Sequence, residues 1–176
     1  MWYDTIKYLM KDKVQTMELH EQDDKYHELD NKASIIYKFV MTYSDYIKAI
    51  RDYGTGEEIN MVEVHTLTMI EENPGITAAK LSLEWNRTKG ATSQILKKLE
   101  QRGFILRKKE NGNAKNLNLY ATEKGEALSK AHKLYDIKEL MWADKMLHES
   151  FSSEEIKAFY NVMQRYTEMM LSPRNE

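Results

Sequence analysis

Apolar residues recur at three- and four-residue spacing through most of this chain, which predicts helices; clear alternation is confined to one short stretch. From Tyr26 to Arg51 the stripe runs through Leu29, Ala33, Ile36, Tyr37, Val40, Tyr43, Ile47 and Ile50, and Gly54-Thr55-Gly56 stops it. Phe39, Met41 and Tyr46 lie off that stripe, so this helix offers a second apolar side that needs a cover beyond its own domain. Asn60-Met61-Val62-Glu63 has the cap-then-acid spacing of a helix start, and Val64, Leu67 and Ile70 give the next helix a core face up to Asn73.

After the breaker Asn73-Pro74-Gly75, Thr77 is placed to cap a short helix with Ala79, Leu81, Leu83 and Trp85 as its apolar residues. A brief turn leads to Thr88, which caps a second helix from Lys89 to Arg102, with Ala91, Thr92, Ile95, Leu96 and Leu99 as its buried stripe. Gly103 ends it. Two strands follow, Phe104 to Lys109 and Leu117 to Ala121, joined across a polar tip that holds Asn111-Gly112. Thr122 then caps a long helix to about His148, which carries Leu128, Ala131, Leu134, Tyr135, Leu140, Met141 and Leu147. Ser152 and Glu155 form a capping box, with Phe151 placed to staple onto Ile156, and the last helix carries Phe159, Tyr160, Met163, Tyr166, Met169 and Met170 up to Pro173. Residues 1 to about 20, with Trp2, Tyr3, Ile6, Leu9, Met10, Val14 and Met17, have the spacing of an amphipathic arm that packs on the body or on a partner subunit.

A helix, a turn, a second helix and a basic hairpin make a winged helix-turn-helix. The expected fold is therefore mainly α with a minor β part: a winged helix-turn-helix with a two-stranded wing and long terminal dimerisation helices. Four segments follow: an N-terminal helical arm (1–25), a dimerisation helix (26–56), the winged helix-turn-helix (57–122) and C-terminal dimerisation helices (123–176).

The face of the second helix opposite its buried stripe presents Lys89, Ser93, Gln94, Lys97, Lys98 and Gln101. Hydroxyls, an amide and cations with little apolar bulk suit base edges and phosphates. Gly90 costs a helix interior roughly 1 kcal/mol relative to Ala, yet in a first turn it lets the backbone approach a large partner, and a phosphate there meets the helix N-terminus. The expected contacts with double-stranded DNA are Ser93, Gln94 and Lys97 nearest base edges, and Thr88, Lys89, Gly90 and Lys98 nearest phosphates. Arg107, Lys108, Lys109, Asn113 and Lys115 of the hairpin hold the flanking backbone.

The formal net charge of −2 argues against nucleic acid only until it is divided along the chain. Residues 1–79 hold 8 Lys/Arg against 15 Asp/Glu, a net −7; residues 80–124 hold 11 against 4, a net +7; residues 125–176 hold 7 against 9, a net −2. The basic island coincides with the helix-turn-helix and hairpin, which is the footprint that phosphate binding needs.

At Leu81-Ser82, Thr88-Lys89-Gly90-Ala91, Ser93-Gln94, Leu99-Glu100-Gln101-Arg102-Gly103-Phe104-Ile105 and Ala121-Thr122-Glu123-Lys124-Gly125, the chain resembles the MarR-type (multiple-antibiotic-resistance) transcriptional regulators, loosely from about Tyr26 to Leu171. The resemblance implies a homodimer joined through its terminal helices, repression of transcription, and release by a small-molecule effector bound between the dimer helices and the DNA unit. Tyr37, Phe39, Met41, Tyr43 and Trp142 are candidates to line such a pocket, beside the plainer role of core and interface packing. One motif departs from the family: its wing usually carries Asp-x-Arg, and here the triplet is Asn113-Ala114-Lys115. Lys115 keeps the charge without the planar fork, so the wing is expected to attract phosphate more than to read a narrow groove.

The chain has no cysteine, which removes disulfides, thiolate metal sites and cysteine nucleophiles. It has no Gly-x-Ser-x-Gly elbow and no phosphate-binding glycine loop, so no enzymatic activity and no cofactor are expected. Among five histidines, His20 and His27 share a helical face near Asp23 and Asp24, but no ligand spacing such as His-Glu-x-x-His occurs, and surface or core roles are favoured over a metal site. Without a signal-peptide pattern or a membrane-spanning apolar run, a cytoplasmic protein with no membrane partner is expected. The competing reading is a winged helix that binds another protein. It would show apolar anchors on its recognition face, where this chain has Lys, Ser, Gln and Thr.

Overall fold

The computed structural model describes residues 11, 13, 16–109 and 117–172, and the chain forms two compact units, Met1–Ala49 and Ile50–Glu176. Most of the expected N-terminal arm and the whole hairpin tip lie outside the described residues.

In the first unit, α1 runs from Leu19 to Lys48. It starts earlier than the apolar stripe suggests because Glu18 and Glu21 build a reciprocal cap, the Glu18 amide donating to Glu21 Oε2 at 3.1 Å. Lys25 and Lys32 flank the Glu28 carboxylate, and their hydrogen bonds hold its pKa down at about 2. No residue of α1 is buried.

The second unit begins with β1 (Ile50–Asp52) and β2 (Glu58–Asn60), which pair antiparallel with Arg51 opposite Ile59. The helix expected to reach Arg51 therefore stops at Lys48, and a hairpin takes over. Its loop is held by Asp52, whose Oδ1 accepts the amides of Gly54, Thr55 and Gly56 at 2.8, 3.0 and 3.1 Å, with both glycines at positive φ.

Helix α2 (Met61–Glu72) is capped by Asn60, whose Oδ1 accepts the Glu63 amide at 2.9 Å. Strand β3 (Ile76–Thr77) leads into α3 (Ala78–Glu84), then come α4 (Lys89–Gln101), β4 (Ile105–Lys109) and β5 (Leu117–Ala121). The sheet has three strands in the order β3-β5-β4, so the wing is wider by one strand than the two expected. Ile76 sits opposite Leu119, and Arg107 opposite the same residue on the other side. Helices α5 (Glu123–His148) and α6 (Ser153–Leu171) complete the unit, the latter opened by the Ser152–Glu155 capping box. None of the described helices is long and apolar enough to cross a membrane.

Ile59, Val64, Leu67, Ile70, Leu81, Leu96, Leu99, Phe104, Leu119 and Leu128 form one core under the helix-turn-helix. The helical period explains why Leu81 is buried while Leu83, two residues on, is 81% exposed: positions two apart point to opposite sides. Gly125 is a packing glycine, since a Cβ there would meet the Phe104 carbonyl oxygen at 2.1 Å. Thr122 fixes the same joint. Its hydroxyl donates to the Gly103 carbonyl at 2.7 Å and accepts the Gly125 amide at 3.1 Å.

Candidate nucleic-acid interface

Two capping hydroxyls set the geometry of the helix-turn-helix. Thr77 Oγ1 accepts the Lys80 amide at 3.3 Å and Thr88 Oγ1 accepts the Ala91 amide at 3.2 Å, so each helix starts where its sequence says it should. Between them the chain turns through Asn86 at φ 46°, a left-handed position that asparagine tolerates, and the Arg87 amide returns to the Ser82 carbonyl at 2.9 Å. Ser82 Oγ also donates to Thr92 Oγ1 at 3.0 Å in the buried seam between α3 and α4. A satisfied polar pair in a dry seam fixes the crossing of the two helices more uniquely than apolar contact alone.

With Thr92, Leu96 and Leu99 buried, α4 turns Lys89, Gly90, Ser93, Gln94, Lys97, Lys98 and Gln101 to solvent. The expected face is thus the outward one. At Gly90 a Cβ would meet nothing within 4 Å, and φ is not positive, so neither packing nor backbone strain requires glycine there.

The basic residues divide by their partners. Lys98 Nζ reaches Glu63 Oε1 of α2 at 2.9 Å, and Arg107 Nε reaches Glu100 Oε2 at 3.0 Å. Lys108 lies over the Tyr120 ring at 5.2 Å. Arg102 and Lys124 both bind Glu57, holding its carboxyl below the ordinary range, and both lie within 4.8 Å of the Phe104 ring centre. Lys89, Lys97 and Lys109 are exposed and meet no carboxylate within 4.0 Å among the described residues. Asn113 and Lys115 lie outside the described residues.

Residues 59–117 match the family model described as MarR family. Over that third of the chain the sequence is similar to the MarR family. Over 110 residues it is 27% identical to YhjH of Bacillus subtilis, described as an HTH-type transcriptional regulator; the match covers 62% of this chain and 61% of that relative's length. Two solved structures share the fold. FabT of Streptococcus pneumoniae, in complex with DNA, is 21% identical with a TM-score of 0.59, over 82% of this chain and 96% of that one. ZitR of Lactococcus lactis, also in complex with DNA, is 19% identical with a TM-score of 0.63, over 81% and 97%.

The second unit holds a further cluster that its linear sequence does not announce. His20 and His27 stand exposed on α1, whereas His65 of α2 and His132 and Asp136 of α5 converge. Burial holds His132 below the usual imidazole pKa, against the pull of Asp136. The one sequence signal was the four-residue spacing of His132 and Asp136, which puts both on one helix face. The candidate effector residues Tyr37, Phe39, Met41, Tyr43 and Trp142 are each about half exposed or more.

Proposed function

We propose that this chain is a non-enzymatic, cytoplasmic, homodimeric regulator of transcription that binds duplex DNA by sequence and represses by occupying a promoter. The carrying observation is the outward face of α4: cations, hydroxyl and amide without apolar anchors, backed by a buried stripe, at the centre of the basic island. Helix α4 enters the major groove, with Ser93, Gln94 and Lys97 at base edges. Thr88, Lys89, Gly90 and Lys98 hold phosphates at its N-terminal end and flank. Lys98 is already oriented by Glu63, so it arrives as a positioned cation rather than a freely moving one. Arg107, Lys108, Lys109, Asn113 and Lys115 hold the adjoining backbone.

A dimer follows from symmetry and from cover. Two recognition helices read half-sites roughly 34 to 36 Å apart when a twofold axis relates them. The apolar residues of α1 and of the second half of α5 and α6 supply surface for a second copy. A small-molecule effector releases the DNA by favouring a dimer whose half-site spacing no longer fits.

Fluorescence anisotropy with duplex from upstream of the gene, and with a scrambled duplex, across a salt series tests the reading. Tight binding to the first, weaker binding to the second and a steep loss with salt are expected. Absence of binding even at low salt would instead favour a winged helix that docks on protein, for which Leu83 is an exposed anchor.

A further inference from the structure

On the side of α2 that faces α5, two imidazoles and one carboxylate point at a common centre. Their ligand atoms all lie within 4.8 Å of one another. His132 Nε2 is 3.2 Å from Asp136 Oδ2, and His65 Nε2 is 3.5 Å from the same oxygen. Yet neither Nε2 finds a hydrogen-bond partner, although both atoms are buried and His132 as a whole is only 2% exposed. Each nitrogen thus has the Asp136 carboxylate within ion-pair distance but no well-directed hydrogen bond, an arrangement that is costly in a core unless a further partner completes it.

We infer that His65 Nε2, His132 Nε2 and the Asp136 carboxylate are the protein ligands of a divalent transition-metal ion of the zinc class, held between α2 and α5.

The spacing suits such an ion. Tetrahedral bonds of roughly 2.0 to 2.2 Å place donors about 3.4 Å apart, close to the two separations that involve Asp136. The remaining gap, between the imidazoles, has to shorten when the ion binds, and His65, whose side chain is 33% exposed, is the less confined of the two rings. Two imidazoles and a carboxylate are the donors that borderline ions take, whereas magnesium and calcium prefer oxygen throughout. The outer shell also fits. His132 Nδ1 faces Thr68 Oγ1 at 3.5 Å, and that oxygen accepts from Ser129 Oγ at 3.0 Å. A proton on Nδ1, held toward Thr68, leaves the Nε2 lone pair for the metal. Three protein ligands leave one coordination position. It opens on a cavity of about 430 Å³ lined by Met69, Trp85, Ile137 and Leu140 as well as the ligands, where water or a second ligand completes the ion. Trp85 ends α3, so the site abuts the helix-turn-helix itself, its ring 6.1 Å from that of His65.

The test is metal titration of the chelator-stripped full chain against a chromogenic competitor, with Zn²⁺, Co²⁺ and Mg²⁺ and without DNA, so that its outcome is independent of the DNA reading. One Zn²⁺ per chain, a four-coordinate Co²⁺ visible spectrum and no competition by Mg²⁺ are expected. Asp136→Asn and His65→Ala, both at partly exposed positions, should each lower Zn²⁺ affinity about a hundredfold, and Thr68→Val about tenfold. Far-UV circular dichroism of the metal-free variants checks that they fold. His20→Ala and His27→Ala should bind as the parent does. Stoichiometric binding that survives both Asp136→Asn and His65→Ala, binding lost with His20 or His27 instead, or no Zn²⁺ binding by the parent would each overturn the assignment.

Discussion

Two parts of this molecule carry apolar patterns of similar clarity and treat them in opposite ways. Between Ile59 and Leu128 the apolar positions close on one another, with Ile59, Leu67, Ile70, Leu96, Phe104 and Leu119 wholly removed from solvent. Along α1, the second half of α5 and α6 the pattern is as periodic, but Tyr37, Leu140, Met141 and Met170 are each 68% exposed or more, and neither α1 nor α6 buries a residue. A periodic stripe thus specifies which face will be covered and leaves open what covers it. The first part is complete within one chain; in the second, each helix keeps an open apolar face, which the proposed homodimer would cover.

The sharpest way to break that contrast is in the core. Phe104→Ala should cost about 3 to 5 kcal/mol, because it removes a fully buried ring that two cations flank. The loss should appear in urea melts at every protein concentration. Leu140→Asp in the second half of α5 should act differently, leaving the far-UV spectrum intact while sedimentation equilibrium moves from dimer to monomer. If Leu140→Asp destabilised a monomeric protein as Phe104→Ala does, the unpartnered face would belong to the chain's own fold.

Much of the winged helix was legible because its signals are local. Asn60, Thr77, Thr88, Thr122 and Ser152 each announce a helix start through a side chain that can reach an amide three residues on, and each accepts that bond. What escaped depended on distant partners or on weaker local chemistry. Glu18 caps α1 although glutamate is not a favoured cap, so the sequence carries no clear signal for the start of that helix. Ile50 to Asp52 continue a helical stripe in sequence and become a strand only because Glu58 to Asn60 fold back on them. Two residues, Ile76 and Thr77, are too few to alternate, so the third strand shows only beside β5. His65 and His132 share no sequence spacing at all; helix packing alone brings their rings to 4.7 Å.

The same contrast between inward and outward demands separates two glycines. Gly125→Ala should destabilise the fold by about 1 to 3 kcal/mol, since the added carbon meets the Phe104 carbonyl oxygen and the backbones of α5 and β4 must part. Gly90→Ala meets open space, so it should stabilise α4 by roughly 0.5 to 1 kcal/mol while weakening DNA binding. Thermal melts and anisotropy on the same two proteins give both signs. A Gly90→Ala protein that is more stable and binds DNA as well as the parent would remove Gly90 from the interface.

The smallest expected effects distinguish neighbouring lysines on the recognition helix. Lys97 meets no carboxylate among the described residues, whereas Lys98 is tied to Glu63, whose side chain is only 9% exposed. Lys97→Ala should therefore act on DNA alone, reducing the slope of log affinity against log salt by about 1 and leaving stability within about 0.5 kcal/mol of the parent. Lys98→Ala should lower that slope similarly but also strand a largely buried carboxylate, so its melt should fall where that of Lys97→Ala does not. Glu63→Gln added to Lys98→Ala removes the stranded charge. It should restore stability without restoring the salt slope, separating the lysine's tie to Glu63 from its proposed contact with phosphate.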